Sequence, residues 1–122
     1  MKFSEDTGNA TNRITGYGKD WIRVNQETLT RSFILGANTL ITEWRPARME
    51  DLTTDDLQRL FDLQTEVIII GSGSTQTLPT ADIWKALVQN GIGFEIMSTD
   101  AACRTYNVLL SEARRVAAAF FL

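Results

Sequence analysis

Cys103, the chain's only cysteine, stands beside Arg104 in the stretch GFEIMSTDAACRTYN, where the pattern predicts an apolar strand followed by a helix. A thiol near a helix N-terminus and next to an arginine loses its proton more easily, which is the environment of reactive cysteines. The chain has no histidine to serve as a general base and no second cysteine to resolve an oxidised thiol. Three hypotheses therefore stay open for Cys103: core packing, a redox-sensitive thiol, or a contact with a ligand or partner.

Arg104 raises a separate question, because the helix dipole disfavours a cation near a helix N-terminus. Either its guanidinium pairs with a carboxylate such as Asp100 or Glu95, or it faces a ligand or a partner. Backbone N–H groups at the start of the same helix would add to its charge in holding an anion. The sequence thus indicates a possible anion site at the N-terminus of the last helix.

The stretch IIIGSGSTQ places glycines and serines at the end of a predicted strand, where such loops can hold phosphate groups. Gln76 replaces the third glycine of the dinucleotide-binding pattern, and no Gly-Lys-Ser/Thr sequence follows. The alternative is a tight turn that requires small residues. If a ligand binds at the ends of the parallel strands, we expect its crevice to be lined by Gly71, Ser72, Gly73, Ser74, Thr99, Cys103 and Arg104.

The composition excludes several classes of chemistry. Without histidine there is no Ser-His-Asp or Cys-His catalysis, and one cysteine cannot complete a zinc site. A net charge of −3 opposes nucleic-acid binding, which draws on clustered cations. We therefore predict no catalytic residues, no metal and no cofactor, and more generally a chain that is not an enzyme.

The apolar residues are not arranged for membrane insertion. No run of apolar residues is long enough to cross a bilayer, and the polar stretch MKFSEDTGNATNR lacks the apolar centre of a secretory signal. A single cysteine fits a reducing compartment. We expect a cytoplasmic protein, with peripheral association at the inner face of the membrane as an alternative, and a start (residues 1–12) that is mobile or tied to a sheet edge.

The patterning predicts one domain over residues 1–122, with two halves of different character. The first half reads as short antiparallel strands separated by turns. The second half begins with a helix capped by Thr53 or Thr54, and continues with strand EVIIIG, helix PTADIWKALVQNG, strand IGFEIM and a last helix. The predicted fold class is α/β: a single compact domain whose mixed central sheet has a parallel βαβα half flanked by helices and an N-terminal antiparallel β portion.

Four finer predictions concern the second half. Strands 66–70 and 92–97 should be adjacent, parallel and central, because both are mainly apolar and one helix joins them. The joining helix should turn Ile83, Trp84, Leu87 and Val88 inward. The last helix should run from about Thr99 to near the end of the chain, with an apolar face at Ala102, Tyr106, Leu109, Ala113, Val116 and Phe120. Its tail, VAAAFFL, should cover the sheet edge or contact another subunit.

The stretches ITGYG, WIRVN, IIIGSGS and GIGFEIMSTDAACRTYNVLLSEARRVAAAF together resemble a small domain family of unknown biochemical function. That family includes bacterial and archaeal stand-alone proteins, an adipogenesis-associated vertebrate protein and a mitochondrial assembly factor for complex I (NADH:ubiquinone oxidoreductase). The resemblance covers the chain from Ile14 onward and implies a compact α/β domain. It brings no established active-site residues.

What the resemblance implies is a binding or assembly role through a protein partner. The leading hypothesis is a bacterial, non-catalytic interaction module that serves as an assembly factor for a respiratory membrane complex. One alternative is a protein or enzyme that binds a small anionic ligand in the crevice near Gly71–Ser74 and Cys103–Arg104. A thiol redox switch through Cys103 is the other.

Overall fold

The computed structural model describes residues 11–122, and these form two β-sheets and three α-helices. A short 3-10 helix at Met49–Asp51 precedes the first α-helix. In chain order the elements are β1 (Ile14–Gly18), β2 (Trp21–Val24), β3 (Glu27–Leu29), β4 (Phe33–Gly36), β5 (Thr39–Ile41), α1 (Thr54–Phe61), β6 (Val67–Gly71), α2 (Ala81–Asn90), β7 (Gly93–Met97), α3 (Thr99–Ser111) and β8 (Val116–Phe120).

The first three strands form a small antiparallel sheet, and the other five form a mixed sheet in the order β5-β4-β8-β6-β7. Strand β6 runs parallel to both of its neighbours, whereas β4 runs antiparallel to β5 and β8. A mixed sheet with a helix-flanked parallel half and an antiparallel N-terminal portion confirms the predicted α/β fold class.

The prediction for the two apolar strands of the second half is partly right. Strands β6 and β7 are adjacent and parallel, with Val67 opposite Gly93 and Gly71 opposite Met97. Only β6 is central, because β7 is the outer strand of the sheet. The sequence already contains the reason: Gly93 and Glu95 alternate with apolar residues and are exposed, as in a strand that is half covered.

The prediction of a last helix that continues to near the chain end is wrong. Helix α3 ends at Ser111, and Ala113 turns the chain with a φ of 60°. Residues Val116–Phe120 then form β8, which is fully buried between β4 and β6. The tail therefore does not cover the sheet edge, its residues 116–121 are buried within the fold, and Ala113, Val116 and Phe120 are not on a helix. The three consecutive alanines favour helices, and they therefore led to the prediction of a helix where the structure has a central strand.

The large sheet is covered on both faces, which gives two apolar clusters. One face packs against α3 and the inward side chains of the small sheet, including Ile22 and Val24. The other face packs against α1, α2 and Trp44. Alternation along the central strands assigns their residues to the two clusters: Ile69, Ala118 and Phe120 face α3, whereas Ile68, Ile70, Ala117 and Ala119 face α1 and α2.

Side-chain hydrogen bonds from α3 hold the small sheet in place. Asn107 bonds both backbone groups of Ile14, accepting from its N–H at 3.0 Å and donating to its carbonyl at 2.7 Å. The Tyr106 hydroxyl donates to the carbonyl of Asn12 at 2.8 Å. Asn12 in turn donates through its side chain to the carbonyls of Gly36 and Thr39. Residue 12 is thus tied to the large sheet, while residues 1–10 lie outside the described residues.

The predicted start of α1 is confirmed, with Thr53 as the N-cap in a capping box with Asp56. The Asp56 carboxylate also binds the Arg45 guanidinium through two contacts, at 3.1 and 2.6 Å. In addition, the Trp44 indole N–H donates to the Asp56 carbonyl at 3.2 Å. One residue therefore fastens the segment after β5 to the first turn of α1.

Helix α2 ends as predicted at Gly91, whose φ of 80° suits a glycine after the last turn. Its inward face is narrower than predicted. Ile83 and Leu87 are buried, but Trp84 is 46% exposed and Val88 is 56% exposed. The prediction that Trp84 and Val88 face inward is therefore wrong, because α2 lies towards the edge strand β7 and its flank extends beyond the sheet.

Candidate functional site

The carboxyl ends of β6 and β7 meet where the chain leaves the sheet towards opposite faces. The chain after β6 enters α2, whereas the chain after β7 enters α3 on the other face. In open α/β sheets this is where a ligand crevice is expected. In this protein, hydrogen bonds from the loop after β6 to the end of β7 span the position where the crevice is expected. The Ser72 N–H donates to the Met97 carbonyl at 2.8 Å, and the Gln76 side-chain amide donates to the Ile96 carbonyl at 2.8 Å.

Thr99, the first residue of α3, joins three segments at the same end of the sheet. Its hydroxyl accepts from the Gly73 N–H at 2.9 Å and donates to the Phe121 carbonyl at 2.6 Å. Its backbone N–H donates to the Gly73 carbonyl at 2.8 Å. The Thr99 side chain is buried, so this pair of hydroxyl bonds is shielded from water.

The two glycines of this loop each have a conformational or packing reason. Gly73 has a φ of 125°, a backbone conformation that side chains strongly disfavour. A Cβ atom on Gly71 would lie 3.0 Å from the Ala102 Cβ and 3.0 Å from the Thr99 Cα. Gly71 therefore allows α3 to approach β6 closely, a role that needs no ligand.

A cleft of about 350 Å³ opens beside this junction. Its walls are the turn between β1 and β2, the loop after β6, the start of α3 and the last residues of the chain. The lining residues are Tyr17, Gly18, Lys19, Asp20, Gly73, Ser74, Thr99, Asp100, Phe121 and Leu122. A smaller cleft of about 190 Å³ lies on the other side of the loop, where Ser72 joins Arg48 and Glu50.

The seven sequence-predicted site residues are not brought together in one cavity. Gly73, Ser74 and Thr99 line the larger cleft, whereas Ser72, Gly73 and Ser74 line the smaller one. Gly71 is buried beneath α3. Cys103 and Arg104 line neither cleft. The β1–β2 turn, which forms a wall of the larger cleft, carried no sequence signal because its placement depends on α3.

Cys103 lies in the core, with no exposed surface, in the cluster that joins α3 to the large sheet. Burial, together with the negative charge of Asp100, raises the pKa of its thiol to about 12, and the opposing effect of Arg104 is smaller. A thiol in this environment stays protonated at neutral pH, so it is a poor nucleophile. The helix N-terminus that suggested reactivity is outweighed by burial.

Arg104 is exposed, and its partner is Tyr17 rather than a carboxylate. Its Nη1 donates to the Tyr17 hydroxyl oxygen at 2.8 Å, and this hydrogen bond is the main cause of a raised guanidinium pKa. Among residues 11–122, neither Asp100 nor Glu95 forms a salt bridge with it. The contact adds to the attachment of β1 to α3.

Most backbone donors that could hold an anion at the start of α3 are already used. The Thr99 N–H bonds Gly73, and the Ala101 N–H bonds the Ser98 hydroxyl at 3.4 Å. The Ala102 N–H belongs to the helix ladder, donating to the Ser98 carbonyl at 2.9 Å. An anion at this terminus would therefore find few unpaired backbone groups.

A second surface exposes apolar side chains of a helix beside a strand at the edge of the sheet. We call it the α2–β7 surface and define it by Trp84, Val88 and Phe94. The Trp84 and Phe94 rings meet edge to face, with centroids 5.3 Å apart. Val88 lies one helical turn after Trp84 on the same flank. An exposed apolar flank next to the open edge of an outer strand is a feature of protein-binding surfaces.

The described residues contain no helix long and apolar enough to cross a membrane. Within residues 11–122 no group of three or more histidine, cysteine or acidic side chains is placed to bind a metal ion.

The fold and its strand-end geometry define a small α/β domain whose glycine-serine loop forms hydrogen bonds with other residues of the same chain. The chain belongs to the family described as a protein of unknown function (DUF498/DUF598), which matches residues 14–121. A solved structure from Xanthomonas campestris is similar over 96% of this chain and 89% of that chain, with 34% identity and a TM-score of 0.84.

Two named relatives extend the comparison. The Danio rerio protein named NADH dehydrogenase (ubiquinone) 1 alpha subcomplex assembly factor 3 is 31% identical over 101 residues, which cover 73% of this chain and 58% of that protein. A Francisella tularensis protein named 13 kDa major membrane protein is 32% identical over 68 residues, covering 56% of this chain and 55% of that protein. The chain thus matches little more than half of either relative. The family resemblance predicted from the sequence is confirmed.

Proposed function

We propose that this chain is a non-catalytic interaction module that acts in the assembly of a respiratory membrane complex. The observation that carries the proposal is its similarity to a protein named as an assembly factor for NADH dehydrogenase, over 73% of this chain. The histidine-free sequence and the raised thiol pKa of Cys103 support a role in binding rather than in catalysis.

The proposed place of action is the cytoplasmic face of a membrane that holds the complex. The name of the Francisella relative, a major membrane protein, supports contact with a membrane fraction. We infer that this contact is peripheral and is made through the protein partner. Washing membranes with high salt or alkaline carbonate should therefore release the chain.

Deletion of the gene in its native host tests the assembly role. We expect less fully assembled NADH dehydrogenase on native gels, accumulation of subcomplexes and recovery when the wild-type gene is restored. The Cys103→Ala variant is a useful control, because a thiol-dependent role would fail with it and an interaction role would not. A complex that assembles to full yield without the protein would contradict the proposal.

We keep a second candidate, a small-molecule site in the larger strand-end cleft. Its volume of about 350 Å³ falls at the lower end of the range of ligand pockets. Lys19 would supply a positive charge and Tyr17 an aromatic wall, whereas the carboxylates of Asp20 and Asp100 oppose an anion. Titration with inorganic phosphate, followed by NMR at the amides of Asp100 and Ser74, tests the anionic form of this hypothesis. Saturable shifts that sodium chloride does not reproduce would favour it.

A further inference from the structure

The outer edge of β7 is the most accessible strand edge among residues 11–122. Four strands lie at sheet edges, and of these β3 and β5 have three residues each. The edge of β1 is partly occupied, because the Asn107 side chain bonds both backbone groups of Ile14. Strand β7 has five residues and pairs only with β6. Edges of this length template the pairing of another strand.

The alternation of β7 shows which groups face outwards. The carbonyl of Met97 faces β6, since it accepts from Ser72. Phe94 and Ile96 have the opposite orientation, so their N–H and C=O groups point away from the sheet. The Ile96 carbonyl is covered by the Gln76 side chain at 2.8 Å. No other residue from 11 to 122 bonds the two N–H groups or the Phe94 carbonyl, so these groups can pair with another strand.

The two faces beside this edge differ in character. On the α2 side lie the exposed apolar parts of Trp84 and Val88, next to Phe94. On the α3 side lies Glu95, which is exposed and forms no salt bridge with any residue from 11 to 122. A strand added to β7 would present alternate side chains to these two faces. It would need apolar residues on one face and a cation opposite Glu95.

A second copy of this chain is a poor occupant. Pairing two β7 edges antiparallel about a two-fold axis centred on the strand would set Glu95 opposite Glu95, and like charges in that position are destabilising. The exposed parts of Trp84 and Val88 amount to roughly 200 Å², whereas a stable interface buries about 800 Å² on each partner. A single extended segment, which binds through main-chain hydrogen bonds, requires less side-chain area.

We propose that the β7 edge is a strand-addition site for an extended segment of a partner protein, with apolar side chains facing Trp84 and Phe94 and a lysine or arginine facing Glu95. This inference rests on the proposed interaction function and specifies where and what it binds. The Gln76 side chain would release the Ile96 carbonyl when the segment pairs.

A synthetic peptide tests the site directly. The probe is an acetylated, amidated heptapeptide that alternates isoleucine or valine with lysine, and its control replaces each lysine by glutamate. We expect the lysine peptide to slow hydrogen exchange at the amides of Phe94 and Ile96 and to shift the Trp84 indole resonance. It should bind about two- to fivefold more tightly than the glutamate peptide, as expected for one cross-strand charge pair.

The Glu95→Lys variant is the matched test of orientation, because Glu95 is exposed and its replacement leaves the core unchanged. The preference between the two peptides should reverse in this variant. Unchanged exchange at Phe94 and Ile96 would overturn the proposal, as would an unchanged peptide preference in Glu95→Lys. Protection that rises with protein concentration alone would overturn it in favour of a second copy.

These outcomes are separable from those of the gene deletion. If deletion impairs assembly but no peptide protects β7, the interaction function stands and the site is wrong. If peptides protect β7 but deletion leaves assembly intact, the site stands and the proposed assembly role is wrong.

Discussion

Replacing Thr99 with valine should destabilise the protein by about 2–3 kcal/mol, although the two side chains have nearly the same shape. The change removes the hydroxyl that accepts from the Gly73 N–H at 2.9 Å and donates to the Phe121 carbonyl at 2.6 Å. Each buried polar group left without a partner costs about 1–3 kcal/mol. Because Gly73 is only half-buried, water can recover part of its loss.

Urea unfolding followed by circular dichroism measures this effect. Thr99→Ser is the control, since it keeps the hydroxyl and removes only a methyl group, and it should cost about 1 kcal/mol. The dependence on urea concentration should be the same in all three proteins, so that the midpoints report stability. If Thr99→Val unfolds within about 0.5 kcal/mol of the wild type, a change typical of an ordinary surface position, the hydroxyl does not hold the strand ends together.

Three further outcomes follow from particular side chains. Iodoacetamide should alkylate Cys103 much more slowly than free cysteine at neutral pH, because its thiol pKa is about 12; an equal or faster rate would contradict its burial. For Asp56, burial alone would raise the carboxyl pKa, but hydrogen bonds from Arg45 and Thr53 lower it overall. Its stabilising contribution should therefore be complete above the unfolded pKa of about 3.9 and be lost as the pH falls through the lower folded value. Unfolding free energies of wild type and Asp56→Asn should converge in acid, and parallel pH profiles would refute this. Trp84→Ala should lower the free energy of unfolding by about 1–2 kcal/mol in a urea titration, because the side chain is 46% exposed and only a buried aromatic costs about 3–5 kcal/mol. A loss of about 3 kcal/mol or more would show instead that Trp84 is buried.

The sequence predicted most of the α/β half because its signals are local. Thr53 followed by Asp56 marked the start of α1, and Gly91 marked the end of α2. The run of apolar residues before Gly71 marked a buried strand. Each of these features depends on residues close together in the chain, so that no knowledge of the tertiary structure was needed.

The errors arise where tertiary contacts decide. Alanines favour helices, but Ala117 to Ala119 form a central strand because β4 and β6 bond them on both sides. Cys103 next to Arg104 suggested a site, yet their side chains point to different surroundings, one into the core and one to Tyr17. Trp84 has the helical spacing of an inward-facing residue. Its side chain is nevertheless exposed, because α2 lies beside the edge strand β7, and this position could not be read from the sequence.

We propose that the chain acts in the assembly of a respiratory complex through its α2–β7 surface. Two valines allow one matched measurement, since Val88 and Val108 are 56% and 54% exposed and each lies in the last turn of its helix. Each is replaced by aspartate in the native host, and fully assembled NADH dehydrogenase is measured on native gels at equal levels of folded protein. We predict that Val88→Asp lowers assembly towards that of the deletion strain, while Val108→Asp leaves it at the wild-type level. Equal assembly in the two variants would contradict the claim.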